Sequence, residues 1–280
     1  MQEKRAILVV SFGTAVPETR AANIDGLEND LRENFPGWEV RRAFTSGIVR
    51  TKIAAEEGLW IDPPAAALGR LGRDGFREVI VQPTHIIPGD EYDRLVAAME
   101  PFRRAGVFAS LKIGRPLLYH EGTEAGYPDD YRIAVQALRQ QLPDFTPAHW
   151  GRVVLMGHGS GHTSDRCYDL LQERLEDEGL PVFTATVEGS RTLEDALQWL
   201  AREEARQVVL MPFMLVAGDH AINDMAGEEA DSWQNRLREA GYQVESHLRG
   251  LGENQAFRKI YRQHVLEATE FPGLRRSFDR

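Results

Sequence analysis

Two histidines and a glutamate stand in similar settings along this 280-residue chain: His158 in Met156-Gly-His-Gly, Glu188 in Thr186-Val-Glu-Gly, and His220 in Ala217-Gly-Asp-His. Each lies at or beyond the end of a short apolar run that reads as a buried strand. Two imidazoles and a carboxylate make a mixed nitrogen–oxygen donor set, which suits first-row divalent ions such as cobalt, iron, nickel or zinc. Magnesium or calcium would ask for an oxygen-rich site. Singly, each residue is better explained as a hydrogen-bonded loop residue. Three of them at equivalent places point to a metal site.

The elements that must position them are legible in the hydrophobic pattern. Ile7–Val10, Glu39–Ala43, Glu78–Val81, Leu111–Ile113, Val153–Met156, Val182–Val187, Gln207–Met211 and Val244–Leu248 read as eight strands. Amphipathic stretches separate them, with one-face sets such as Ile24, Leu27 and Leu31, or Tyr92, Leu95, Val96 and Met99. Leu193, Ala196, Leu197 and Leu200 form a third set, and Phe257, Ile260, Tyr261 and Val265 a fourth. This alternation predicts an α/β fold of βαβ units around parallel sheets. Asp62 before Pro63, and Thr192 three residues before Asp195, mark helix starts; Asp90 and Asp219 read as N-caps.

The pattern also repeats. Leu8-Val-Val-Ser-Phe-Gly-Thr14 parallels Val154-Leu-Met-Gly-His-Gly-Ser160, and Ala43-Phe-Thr-Ser-Gly47 parallels Ala185-Thr-Val-Glu-Gly189. Val79-Ile-Val-Gln-Pro83, followed by Gly89-Asp90, parallels Val208-Val-Leu-Met-Pro212 followed by Gly218-Asp219. Three matches in one order argue for two similar halves. At the positions of His158, Glu188 and His220, the first half carries Phe12, Ser46 and Glu91. The seam falls in the Gly-rich, acidic stretch Tyr119–Tyr131, giving domains at 1–125 and 126–280, with the last helix free to pack back on the first domain.

Composition narrows the function. A net charge of −10 argues against a nucleic-acid partner and against attraction to anionic membranes. The single cysteine, Cys167, excludes an intrachain disulfide framework or a CxxC site and reads as helix packing. No window approaches the ~18 apolar residues of a membrane span. Lys4-Arg5 before an apolar run imitates an export signal, but the run is too short and lacks a cleavage site. A cytoplasmic location is expected, and a periplasmic one stays open if an export signal was removed. Gly157-x-Gly-x-Gly161 is neither the dinucleotide fingerprint nor a phosphate loop, and no Gly-x-Ser-x-Gly elbow is present. His162 is either a base assisting the ligands or a helix-start residue. His85 either points into a cleft or is a buried, hydrogen-bonded histidine. Phe12, Phe44, Tyr92 and Phe213 either line an apolar cleft or pack in the core. His120, His149, His247 and His264 carry no spacing signal.

Taken together, Met156-Gly-His-Gly, Val187-Glu188 and Val216-Ala-Gly-Asp-His-Ala-Ile-Asn-Asp-Met225 resemble the anaerobic sirohydrochlorin cobaltochelatase family of the class II chelatases. So do Ser11-Phe-Gly-Thr14, Ala43-Phe-Thr-Ser-Gly47, His85-Ile-Ile-Pro-Gly-Asp-Glu-Tyr92 and Gly250-Leu-Gly-Glu-Asn254. The resemblance implies a chelatase-like fold of two similar domains, each with a parallel sheet flanked by helices, and a tetrapyrrole cleft between them. It implies a lyase that inserts Co²⁺, as substrate metal, into sirohydrochlorin on the anaerobic route to cobalamin, with no organic cofactor. His158, Glu188 and His220 stand at the family's catalytic and metal-binding positions. Ser11, Phe12, Gly13, Thr14, His85 and Glu91 become candidate substrate-binding residues. A homo-oligomer is also implied. Fe²⁺ insertion for sirohaem synthesis, or a metal or tetrapyrrole carrier without turnover, would use the same residues, since imidazole and carboxylate accept both ions. A polycarboxylate substrate needs local cations, for which Arg20, Arg50, Lys52, Arg115, Arg191 and Arg249 are candidates.

Overall fold

The computed structural model describes residues 3–143 and 151–271, and all eight expected strands form within them. They are β1 (Lys4–Ser11), β2 (Trp38–Phe44), β3 (Phe76–Pro83), β4 (Ser110–Ile113), β5 (Gly151–Gly157), β6 (Val182–Thr186), β7 (Gln207–Pro212) and β8 (Gln243–Ser246). A ninth, β9 (Thr269–Glu270), was not expected; it is two residues long and pairs antiparallel with β4.

The chain forms two compact units. One comprises the residues up to Tyr119 together with those from Arg258 onward, and the other is His120–Phe257. Their division falls after Tyr119 rather than after residue 125, and inside the last helix, Gln255–Leu266.

In the first unit the sheet order is β2-β1-β3-β4-β9, the first four strands parallel. Ala6–Val10 at its centre is uninterrupted apolar sequence and buried throughout, as a strand covered on both faces must be. Leu68 and Leu71 of the helix Pro64–Arg73, and Leu95 and Met99 of the helix Asp90–Arg104, pack with Leu8, Val10, Val79 and Val81. The second unit orders its strands β6-β5-β7-β8, all parallel. There Ala196 and Leu200 (helix Leu193–Arg202) and Trp233 and Leu237 (helix Trp233–Glu239) cover Val154, Met156, Val208 and Leu210.

Matching strand order is only part of the internal repeat. In the first unit, Thr45 N–H donates to Ser11 O, Ser46 N–H to Phe12 O, and Thr84 N–H to Val10 O. In the second, Val187 N–H donates to Gly157 O, Glu188 N–H to His158 O, and Phe213 N–H to Met156 O. Leu117 N–H to His85 O is likewise matched by Leu251 N–H to Met214 O. The two backbones are wired alike at the ends of their strands, with the residue correspondence inferred from sequence.

Helix starts divide. Thr192 and Asp195 form a full capping box. Asp62 instead pairs with Arg70 while Pro63 takes the cap position of the next helix. Asp90 is the first helical residue behind a Gly89 cap, and Asp219 accepts from the Asn223 side chain rather than from a backbone N–H.

Candidate metal and substrate site

His158 follows β5, Glu188 follows β6, and His220 begins the wide helical turn His220–Met225 after β7. In a sheet ordered β6-β5-β7-β8, the chain leaves β5 toward one side and reaches β7 on the other. That reversal opens a crevice at the carboxyl ends of the strands, where open α/β sheets bind ligands. His158 and His220 flank it. Their ring centroids are 4.8 Å apart with planes at 83°, and Glu188 Oε2 stands 4.0 Å from His158 Nδ1. All three side chains reach solvent, at 45% (His158), 62% (Glu188) and 38% (His220) exposure. Among the described residues, no three His, Cys, Asp or Glu side chains are already closed about one point. The site is gathered but open.

The loops bearing His158 and Glu188 are joined by a residue that sequence reasoning missed. The buried Asp165 carboxylate accepts from Ser160 N–H at 3.0 Å, Ser190 N–H at 2.7 Å and the Ser190 hydroxyl at 2.8 Å. It therefore clamps the residues just after His158 to those just after Glu188. Close approach of the loops needs glycine: Gly159 has φ +76°, and a Cβ there would collide with Gly189. A Cβ on Gly189 would collide in turn with the Asp165 carboxylate. The spaced glycines near His158 thus serve loop packing. His162 is a turn-start residue whose Nδ1 accepts from Ser164 N–H at 3.1 Å. Two further acceptors face the histidines: Gly159 O lies 3.0 Å from His158 Nδ1, and Asp224 Oδ2 lies 2.5 Å from His220 Nδ1. The Asp224 spacing, four residues after His220, was visible in the sequence and went unread.

At the equivalent edge of the first unit, the Thr84 hydroxyl donates to the buried Ser11 hydroxyl at 2.9 Å. Phe12 is 51% exposed, whereas Phe44, Tyr92 and Phe213 are core residues. Gly13 abuts the Phe44 ring, and Thr14 is buried with its hydroxyl accepting from Val16 N–H. Ser46 caps the helix Gly47–Glu57 by accepting from Val49 N–H. Glu91 is ion-paired with Arg94 at 2.6 Å. His85 differs from the buried, hydrogen-bonded alternative: both ring nitrogens are buried without a hydrogen-bond partner. Burial pulls its pKa down to about 4 against the opposing charge of Glu91.

Four of the six candidate cations are engaged within the chain. Arg20 pairs with Glu57, Arg115 with Glu267 at 2.6 Å, Arg191 with Asp169 at 3.1 Å and Arg249 with Glu253 at 3.5 Å. Arg50 and Lys52, on the helix that begins just after Ser46, have no ion pair among the described residues, and Arg50 Nε is buried without a partner. Cys167 is buried, receives a hydrogen bond from the Tyr131 hydroxyl at 3.2 Å, and is pushed up to about 12 by burial; it is a packing residue. His149 lies outside the described residues. No described helix is long and apolar enough to cross a membrane.

Comparison with known proteins bears on this geometry. A family model described as "Cobalt chelatase (CbiK)" matches residues 5–270. The sirohydrochlorin cobaltochelatase of Salmonella typhimurium is 39% identical over 265 residues, covering 95% of this chain and 96% of that protein. The sirohydrochlorin cobaltochelatase CbiKC of Nitratidesulfovibrio vulgaris is 35% identical over 265 residues, covering 95% and 90%. Among solved structures, DR2241 of Deinococcus radiodurans, a multi-domain protein described as structurally similar to chelatases, aligns with a TM-score of 0.59 at 17% identity. That alignment takes in 95% of this chain and 55% of the other, and supports the fold.

Proposed function

The chain belongs to the cobalt chelatase family, and from that premise we infer that it is a sirohydrochlorin cobaltochelatase, inserting Co²⁺ into the macrocycle on the anaerobic route to cobalamin. The observation that carries the site assignment is the approach of His158 and His220. An ion ~2.1 Å from one nitrogen of each ring would sit ~3.2 Å from each ring centre. Centroids 4.8 Å apart then subtend roughly 100° at it, an angle ordinary for a four- to six-coordinate ion. Glu188, more exposed than either imidazole, turns inward to complete the set.

Insertion has to strip water from the ion, pucker the macrocycle and remove two pyrrole N–H protons. His158 and His220 hold the incoming ion as neutral imidazoles. As pyrrole nitrogens replace them, the freed imidazole nitrogens accept the departing protons. Glu188 adds a negative charge beside the ion and the imidazolium that follows. An open set suits this work, because a ligand cage closed on all sides would retain the metal. The substrate's carboxylates need cations not already paired, and Arg50 and Lys52 meet that condition; Phe12, exposed in the same unit, offers an apolar face to a planar ring.

The test is anaerobic insertion with purified protein, sirohydrochlorin and either Co²⁺ or Fe²⁺, followed by absorbance. Multiple turnover with Co²⁺ is expected, and faster Fe²⁺ insertion would reassign the metal. A single stoichiometric uptake without turnover would make the protein a carrier. His220→Ala should lose at least ~100-fold in rate, the upper range for disturbing a metal's surroundings, with unchanged circular dichroism because the side chain is surface-accessible. Near-normal turnover in that variant would remove His220 from the ligand set. Self-association, implied by the family resemblance, is read from the light-scattering mass of the purified chain.

A further inference from the structure

We propose that Asp224 is a positioning residue that holds His220 in the tautomer with its proton on Nδ1, so that Nε2 is the nitrogen offered to the metal. The inference rests on His220 being a ligand. Its basis is the 2.5 Å approach of Asp224 Oδ2 to His220 Nδ1. An ionised carboxylate only accepts hydrogen bonds, so a neutral imidazole facing it carries its proton on that side and leaves a lone pair on the other.

The local fold is built to keep this pair. His220 and Asp224 lie on one outward face of the turn His220–Met225, while Ala221 and Met225 are fully buried in the second unit's core. Two backbone bonds close the turn, Ala226 N–H to Ala221 O and Gly227 N–H to Asn223 O. Asn223 in turn donates to Asp219 at 3.0 Å. The comparison within the chain is independent of these contacts. The matched residue of the first unit, Glu91, is the second residue of a regular helix, in which the position four residues on is Leu95, a core residue. Where the second unit departs from the first, it exchanges that helix for a wide turn and that leucine for a carboxylate. Wide turns of this kind recur at functional sites.

The experiment uses the full chain, with Co²⁺ alone as the metal probe. In metal-free, ¹⁵N-histidine-labelled protein at mildly alkaline pH, the His220 imidazole shifts should report a protonated Nδ1 and a bare Nε2. Asp224→Ala should raise the Co²⁺ dissociation constant by about 10- to 100-fold. Asp224→Asn, which keeps an acceptor oxygen and the side chain's shape but not the charge, should fall between it and the native chain. In turnover, KM for Co²⁺ should rise while KM for sirohydrochlorin stays put. A protonated Nε2 in the native chain, or Co²⁺ affinity within about twofold of native in both variants, overturns the proposal. The His220→Ala variant separates the two readings. If it too binds Co²⁺ normally, the ligand assignment falls and this inference with it; if it loses Co²⁺ while the Asp224 variants do not, only this inference falls.

Discussion

The His85 ring nitrogens are buried with no partner, and the imidazole is held near pKa 4 by burial. The unfolded chain, with an ordinary imidazole, binds the proton more readily than the native chain does between about pH 6.5 and 4. Stability contributed by the neutral buried ring is therefore present above that window and lost as pH falls through it. His85→Leu should flatten this part of the stability–pH curve, measured by urea denaturation from pH 7 to 4; an unchanged slope would mean the ring is solvated. A second acid effect concerns activity and has another signature. With His158 and His220 as the proposed ligands, protons and Co²⁺ would compete for the same nitrogens, so insertion should slow toward acid and recover in part when Co²⁺ is raised. Slowing that ignores added metal would count against the ligand set. At this scale the sequence was informative where a residue type stood out against its matched partner, as His158 does against Phe12. It was uninformative where the role depends on distant atoms. Nothing near Asp165 announces that its carboxylate will bind a serine 25 positions later in the chain.

Strands were the most legible elements, because a parallel sheet covered on both faces demands unbroken apolar runs such as Ala6–Val10 and Val153–Met156. The edge pair β9 had no such demand on it: Thr269 and Glu270 are exposed and too few to show a period. The loops after the strands were legible only as motifs, since their geometry comes from glycine packing and the Asp165 clamp. That clamp is testable. Asp165→Ala leaves Ser160 and Ser190 N–H groups unpaired, and should cost about 2–3 kcal/mol of stability together with most insertion activity. Ser190→Ala, which removes only the hydroxyl donor, should cost ~1 kcal/mol or less. Equal effects would mean that the loops are held by something other than the carboxylate. The helix Gly47–Glu57 makes a separate claim about substrate. Arg50→Ala or Lys52→Ala should raise KM for sirohydrochlorin about fivefold, ~1 kcal/mol for one exposed carboxylate contact, without altering KM for Co²⁺. Unchanged KM for the macrocycle in both would remove this helix from the binding surface.

For the molecule as a whole, two units share strand order and the hydrogen bonds that end their strands, yet one carries His, Glu and His where the other carries Phe, Ser and Glu. The sequence disclosed that correspondence because matched loops keep Pro-to-Gly-Asp spacing; it left the last helix free to pack back on the first domain, and residues from Arg258 onward group with the first unit. The shared wiring makes the ligand set portable. Phe12→His, Ser46→Glu and Glu91→His together should let the chain take up a second equivalent of Co²⁺, counted by titration. That copy should be the weaker one, because Leu95 stands where the second unit has Asp224. No second equivalent would mean that the strand ends alone do not make the site. The graft has a structural cost that shows how the two halves came to differ in vocation. Ser46 caps a helix that starts at the very next residue, so a glutamate there forfeits roughly 0.5–2 kcal/mol. Glu188 has no such duty: the next helix begins only at Leu193, and Thr192 caps it. A few residues of slack after β6 released one position from scaffolding and left it free for chemistry.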